Sequence, residues 1–397
     1  MSKHYTTGDI IEVRIEKIVP RGFGLAFAEN LTVLTPLTVP GDVARVRIVD
    51  IKKRMAFAEV VELKHPGVKR VDPPCKHFGV CGGCDFQQLK YGAQLDAKVG
   101  IIRDCLQRIG KISYDGEIDV IASPHEFGYR SRARWHLDRT KKTVGYFRRD
   151  SHEVVNIGSC PILTPGLQST LEYIRESMDW SSIWSDRAEM EAGTGEEGRV
   201  SMYSADMAET TAELSFVNAQ DEYSFSARTF FQANKFLIGA LIETAIAGAT
   251  GKTAFDLYSG VGLFAIPLAR QFESVVAVEE NEIANDFAVR NVERARLTNV
   301  KHVGSSVISY LNSVDGGESP DFVLIDPPRS GTERQSIPAI VKLCPSEISY
   351  VSCEPSILAR DLKTFLDSEY QIDRITAIDL FPQTHHVETV VRLSKSR

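Results

Sequence analysis

Apolar and polar positions alternate in steps of two through the first 63 residues, over 10–15, 31–37, 43–49 and 56–63. A period of two turns one face of each segment inward, as in half-buried strands. Pro20-Arg21-Gly22-Phe23-Gly24 and Pro40-Gly41-Asp42 punctuate the runs. Short strands at this spacing predict a small β-barrel. Between 90 and 113 the period lengthens: Leu95, Val99, Ile102, Leu106 and Ile109 recur at helical spacing. Residues 167–178 predict a second helix, 200–202 and 212–217 strands, and 192–198 an acidic surface loop.

From 226 onward, helical and strand patterns take turns. Residues 236–247 read as an amphipathic helix, and 254–257 as a strand running into Gly260-Val261-Gly262. The next strand ends at Glu279, and another ends at Asp326 before a proline turn. Tyr350 and Val351 close a further strand, and a helix starts at Ser356. Such alternation predicts a mostly parallel, doubly wound sheet. The fold class is therefore α/β multidomain. Residues 1–63 form an OB-like barrel, 64–225 a central α+β domain, and 226–397 a Rossmann-like domain.

Composition leaves this picture intact. The chain has 397 residues, 43% hydrophobic and 25% charged, as in globular proteins. No apolar run approaches a membrane span, and residues 1–9 hold no leader core, so a cytoplasmic protein without a membrane partner is expected. A monomer is expected. Seven cysteines, an odd number, argue against a disulfide framework. The net charge of −7 excludes a uniformly basic nucleic-acid binder. Charge is uneven, however: residues 128–149 hold 8 Lys/Arg against the single acid Asp138.

Three stretches carry candidate chemistry. Cys75, Cys81 and Cys84 are spaced C-x5-C-x2-C, and clustered cytosolic thiols bind metal. Thiolates suit zinc or an iron–sulfur cluster, with Cys160 as the better fourth ligand and His77 the lesser. In the basic segment, Arg130, Arg132 and Arg134 alternate onto one strand face beside Tyr129 and Trp135. Arginines among aromatics suit phosphate contact and base stacking, so RNA is the expected partner. The Gly260 turn lets a cofactor approach the backbone, and Glu279, 19 residues on, can accept from ribose hydroxyls. That pair fits S-adenosylmethionine as well as NAD. Cys353 lies between a strand end and a helix start, where the helix dipole lowers a thiol's pKa.

Asp326-Pro327-Pro328-Arg329 with Gly331, Ser352-Cys353-Glu354-Pro355 and Phe381-Pro382 with His386 and Glu388 resemble the motifs of the uridine-C5 RNA methyltransferases. Phe230-Phe231-Gln232 with Asn234, the cysteine run and Tyr129-Arg130 extend the resemblance over nearly the whole chain. Gly8-Asp9, Gly22-Phe23-Gly24 and Pro40-Gly41-Asp42 look like a TRAM domain, an OB-like RNA-binding barrel. The resemblance implies Cys353 as nucleophile toward carbon 6 of uracil and Glu388 as base at carbon 5. It places Gln232, Tyr258, Glu279 and Asp326 around S-adenosylmethionine, with Gly260 in the glycine turn. It assigns Cys75, Cys81, Cys84 and Cys160 to a 4Fe–4S cluster. A TRAM barrel with such a cluster points to 23S ribosomal RNA, because bacterial transfer-RNA members typically lack both. Transfer RNA is the alternative within the family.

Two other classes compete. A catalytically silent RNA-binding iron–sulfur protein would not need Cys353 and Glu388. A NAD-dependent oxidoreductase would need a third glycine after Gly260-x-Gly262. Glu354, where better-known relatives carry Asn, is expected to oppose thiolate formation at Cys353. Cys105 and Cys344 read as core packing, and His385 as incidental.

Overall fold

The structure is a computed structural model that describes residues 4–208, 211–314 and 319–396. The first three residues of the polar N-terminal stretch lie outside the described residues. Strands β1 (Ile10–Arg14), β2 (Lys17–Val19), β3 (Phe23–Ala28), β4 (Leu31–Thr35), β5 (Val43–Lys52) and β6 (Met55–His65) form one sheet in the order β1-β5-β6-β4-β3-β2. Val13, Ala26, Val33, Val46 and Ile48 fill its interior, as the period of two requires.

Helix α1 (Tyr91–Cys105) and strand β7 (Ile118–Ile121) come next. The sequence pattern assigned both to the central domain, but they lie against the C-terminal sheet. Ile101, Ile102 and Cys105 pack on it, and β7 adds to its edge beside a later strand. An apolar helix stripe must find an apolar face, and the nearest is not in the neighbouring sequence.

Strands β8 (Arg132–Asp138), β9 (Thr143–Phe147) and β10 (Val154–Asn156), helix α2 (Pro165–Glu176), and strands β11 (Arg187–Thr194) and β12 (Val200–Tyr203) build a smaller unit. Its five strands run in the order β10-β9-β8-β11-β12, and α2 covers them through Leu167, Leu171 and Ile174. The expected acidic loop at 192–198 thus begins inside β11, where Ala192 faces the core. A hairpin of β13 (Leu214–Asn218) and β14 (Asp221–Phe225) leads onward.

Helices and strands then alternate: α3 (Ile238–Ile246), β15 (Gly251–Leu257), α4 (Ala265–Ala269), β16 (Phe272–Val278), α5 (Glu282–Arg294), β17 (Val300–Val303), α6 (Val307–Ser313), β18 (Phe322–Ile325), α7 (Ser336–Leu343), β19 (Glu347–Ser352), α8 (Pro355–Leu366), β20 (Tyr370–Ile378) and β21 (Glu388–Lys395). The eight-stranded sheet has the order β17-β16-β15-β18-β19-β21-β20-β7. It is mixed rather than all parallel, since β21 runs antiparallel to both β19 and β20. One face packs on α1, α6, α7 and α8, the other on α3, α4, α5 and the hairpin. The parallel strands β15, β16, β18 and β19 each bury an unbroken run of at least four residues, as cover on both faces demands. Cys105 is buried in the core, whereas Cys344 is exposed at the left-handed C-terminus of α7. The helix stop there turns its side chain outward, so the expectation for Cys344 fails.

Candidate active site

In parallel sheets the carboxyl ends of neighbouring strands open on one side. Tyr258, Gly260, Glu279, Asp326 and Cys353 follow the ends of β15, β16, β18 and β19 and line one cavity of about 1360 Å³. Glu388 joins them from the start of β21, and Gln232 from the loop after β14. Every residue expected to act on substrate or cofactor therefore meets in one space.

Glycine shapes two walls of it. Gly260 has φ +55°, and a Cβ built there would project into open space. A side chain would fill the cradle a cofactor needs. Its N–H donates to Glu279 Oε2 at 2.9 Å. Gly331, at φ +84°, closes the proline turn after Asp326 by donating to Pro328 O at 2.8 Å. A Cβ there would strike Ile357 of α8 at 2.6 Å.

The electrostatics are those of crowded, buried acids. Burial raises the Glu388 carboxyl well above the ordinary range, and the Asp326 charge adds to it while Arg329 opposes both. Burial likewise raises Asp326. Burial pushes the Cys353 thiol up to about 12, with Glu388 contributing next. Arg329 pulls the thiol back down by its charge and by a hydrogen bond. The expected lowering by the helix dipole is therefore outweighed. A physical reason lies at the helix start: Glu354 caps α8, and its carboxylate accepts from Ser356 N at 3.3 Å and Ser356 Oγ at 2.6 Å. A capping carboxylate offsets the positive end of the dipole. The acids that raise the Cys353 thiol are Glu388 and Asp326 rather than Glu354, and Glu354 instead raises the Cys105 thiol.

Several features at and beside the site carry no role in the sequence reading. Asp256 is fully buried in β15, raised by burial and by the Asp326 and Glu279 charges. Its signal was an acid inside an apolar strand. Arg329 sits 5.9 Å over the Phe381 ring, and both line the cavity. Phe230 is 70% exposed at the same cavity, a stacking surface on a solvent-facing loop. Tyr258 donates to Glu333.

The three arginines also line the cavity but differ in setting. Arg130 precedes β8 and donates to Arg132 O at 2.8 Å. Arg132 donates to Ser226 O and Ala227 O at 3.2 Å, tying the central sheet to the Phe230 loop. Arg134 is exposed and paired with Glu189 and Glu191.

Cys75, Cys81, Cys84 and Cys160 line a second, smaller cavity of about 180 Å³, with His77 beside them. Burial pushes Cys84 up to about 12 and Cys160 up to about 11, and it raises Cys81. Among the described residues, no three or more Cys, His, Asp or Glu side chains converge as ligands of a single metal ion. The donors are soft, and Phe78, Ile157 and Ile162 complete the wall. Such donors suit zinc or an iron–sulfur cluster alike, and their placement favours neither. Arg130, Arg329 and Phe381 line both cavities. His385, expected to be incidental, pairs with Asp85 at 2.6 Å, next to Cys84.

Comparison with known proteins agrees with this layout. Residues 202–396 match the family described as tRNA (Uracil-5-)-methyltransferase, and residues 5–61 match the TRAM domain. An uncharacterised RNA methyltransferase of Thermosynechococcus vestitus is 30% identical, over 98% of this chain and 99% of its own length. One from Synechocystis is 30% identical over 97% and 96%. The crystal structure of Pyrococcus abyssi tRNA (uracil-54, C5)-methyltransferase with S-adenosyl-L-homocysteine superposes with a TM-score of 0.71. It is 26% identical, covering 96% of this chain and 100% of that one.

Proposed function

The chain belongs to the RNA uracil-5-methyltransferase family, and from that premise we propose that it methylates carbon 5 of a uridine in 23S ribosomal RNA through a covalent Cys353 adduct. The observation that carries the reading is that Cys353, Glu388 and Asp326 share one cavity with the Gly260 turn. When bound there, S-adenosylmethionine supplies an electrophilic methyl group on a sulfonium. Gly260, Glu279, Asp326, Tyr258 and Gln232 are the residues to hold it.

Carbon 5 of uracil is a weak nucleophile, so the reaction needs a covalent detour. Cys353 adds as thiolate to carbon 6, forming the S–C6 bond and sending the displaced electron pair toward carbon 5. Carbon 5 takes the methyl group, and S-adenosylhomocysteine is left. Glu388 then removes the proton from carbon 5. The C5–C6 double bond re-forms, the S–C6 bond breaks, and its electron pair returns to Cys353. Arg329 favours the thiolate and opposes the burial and the Asp326 charge that raise the Glu388 carboxyl. A uridine inside folded RNA must leave its stack to reach Cys353. Exposed Phe230, Arg134 and the TRAM barrel offer stacking and phosphate contacts for that state.

Cys75, Cys81, Cys84 and Cys160 are the residues to hold a 4Fe–4S cluster, with a structural role. Barrel and cluster together support ribosomal RNA as substrate. A second reading, transfer RNA, draws on the full-length likeness to the archaeal tRNA uracil-54 enzyme. Mapping 5-methyluridine in total RNA from a deletion strain separates them: loss from 23S RNA alone supports the first, and loss from transfer RNA replaces it with the second.

A further inference from the structure

Phe381 reaches the cavity from the segment between β20 and β21, residues 379–387, which holds no regular element, and Glu388 opens β21 directly after it. A loop that leads straight into the proton acceptor has no ladder of its own to fix its course. Lys98 of α1 does this from below. Its side chain is 2% exposed and pairs with Asp379, itself 1% exposed, while its ammonium also donates to Phe381 O at 2.9 Å. One cation thus grips the loop on both sides of Leu380. Tyr91 OH reaches Asp379 Oδ2 at 2.9 Å, and Gln94 exchanges two hydrogen bonds with Gln383, at 2.9 and 3.0 Å. Positions 91, 94 and 98 recur at helical spacing, so a single face of α1 holds the loop.

Burying an ion pair in a protein core is expensive, and apolar side chains of similar size commonly serve stability as well or better. What Lys98 adds over a packed apolar residue is direction: N–H donors aimed at two set targets, Asp379 and Phe381 O. The targets lead to the chemistry. Phe381 lies under Arg329, whose guanidinium acts on both Cys353 and Glu388.

We propose that Lys98, paired with Asp379, is a positioning residue for the proton-removal step, holding the 379–387 loop so that Phe381 and Glu388 stay in register with Cys353. The proposal rests on the covalent reading above. Misplacing a reacting group by about 1 Å costs roughly 100-fold in rate.

The test is the double variant Lys98→Met with Asp379→Asn, beside the single Lys98→Met. The single variant leaves a buried carboxylate unpaired and can fail to fold, whereas the double variant removes both charges. Full-length protein, S-adenosylmethionine and substrate RNA are used, with melting temperature measured alongside. The expected result is a folded double variant whose release of methylated RNA drops about 10- to 100-fold. Its KM for RNA should hold within about twofold, and a methylated protein–RNA adduct should accumulate on denaturing gels. A double variant with wild-type release and no adduct overturns the proposal, whatever its melting temperature. RNA containing 5-fluorouridine keeps the two ideas apart, because its carbon 5 has no proton to lose and an adduct must persist in the wild type. If none forms there, the covalent reading falls, and the positioning role is still judged by whether kcat falls at constant KM.

Discussion

The catalytic cavity and the cysteine cavity meet at Arg130, Arg329 and Phe381, yet they handle buried ionisable groups in different ways. Around Cys353 the acids Asp326 and Glu388 come with a built-in cation, Arg329. That space is large, open to a glycine turn, and assembled from strand ends of one sheet. The cysteine cavity is small, and burial raises the Cys81, Cys84 and Cys160 thiols toward the protonated form. Only a bound metal group would make thiolates of them. On the proposed reading, the first site moves a proton with its own residues, and the second would be completed by a metal group.

Crossed substitutions give the sharpest contrast. Cys353→Ala should reduce methylation to background while iron, sulfide and visible absorbance stay at wild-type levels. Cys160→Ser should do the reverse. Metal is lost and Tm drops on the order of 10 °C, while the activity that remains still depends on Cys353. Colourless wild-type protein holding one zinc per chain would break the comparison.

A smaller effect concerns acidity. In the cofactor-free protein the Glu388 carboxyl is raised by burial, so the folded state keeps a proton that the unfolded state has released. Folding stability on this account falls as pH rises above roughly 4.3, the ordinary Glu value, toward the raised value. Glu388→Gln removes that loss. Thermal melts should show the variant gaining a few degrees at pH 8 and nothing at pH 4. An equal gain at both pH values points to packing instead.

The smallest expected change lies at the rim. Arg134 is exposed and already shared between Glu189 and Glu191. Arg134→Ala should flatten the log–log salt dependence of RNA binding by one unit or less. Arg132→Ala should do more harm than one phosphate contact explains, since it also frees Ser226 O and Ala227 O. Unchanged binding in both variants would make this strand a purely structural face.

Legibility follows the same division. Strand-end residues such as Asp326, Glu279 and Cys353 were readable because a local pattern of apolar run, acid or thiol, then turn marks where a sheet opens. The placement of α1 and β7 was not, because which apolar face receives a helix is decided by distant packing. The same holds for Lys98 and Asp379, 281 residues apart in sequence. Nor could a spacing rule show that burial outweighs the helix dipole at Cys353, or that Glu354 spends its charge on Ser356. His385 looked incidental because its partner, Asp85, lies in another loop.

On the proposed mechanism Cys353 attacks and Glu388 removes the proton. Its most direct test is one denaturing gel with substrate RNA and isotope-labelled S-adenosylmethionine, comparing wild type, Cys353→Ala and Glu388→Gln. A labelled, denaturation-resistant protein–RNA band is expected for Glu388→Gln, none for Cys353→Ala, and free methylated RNA for wild type. Normal turnover by Glu388→Gln, or methylated RNA from Cys353→Ala, would contradict it.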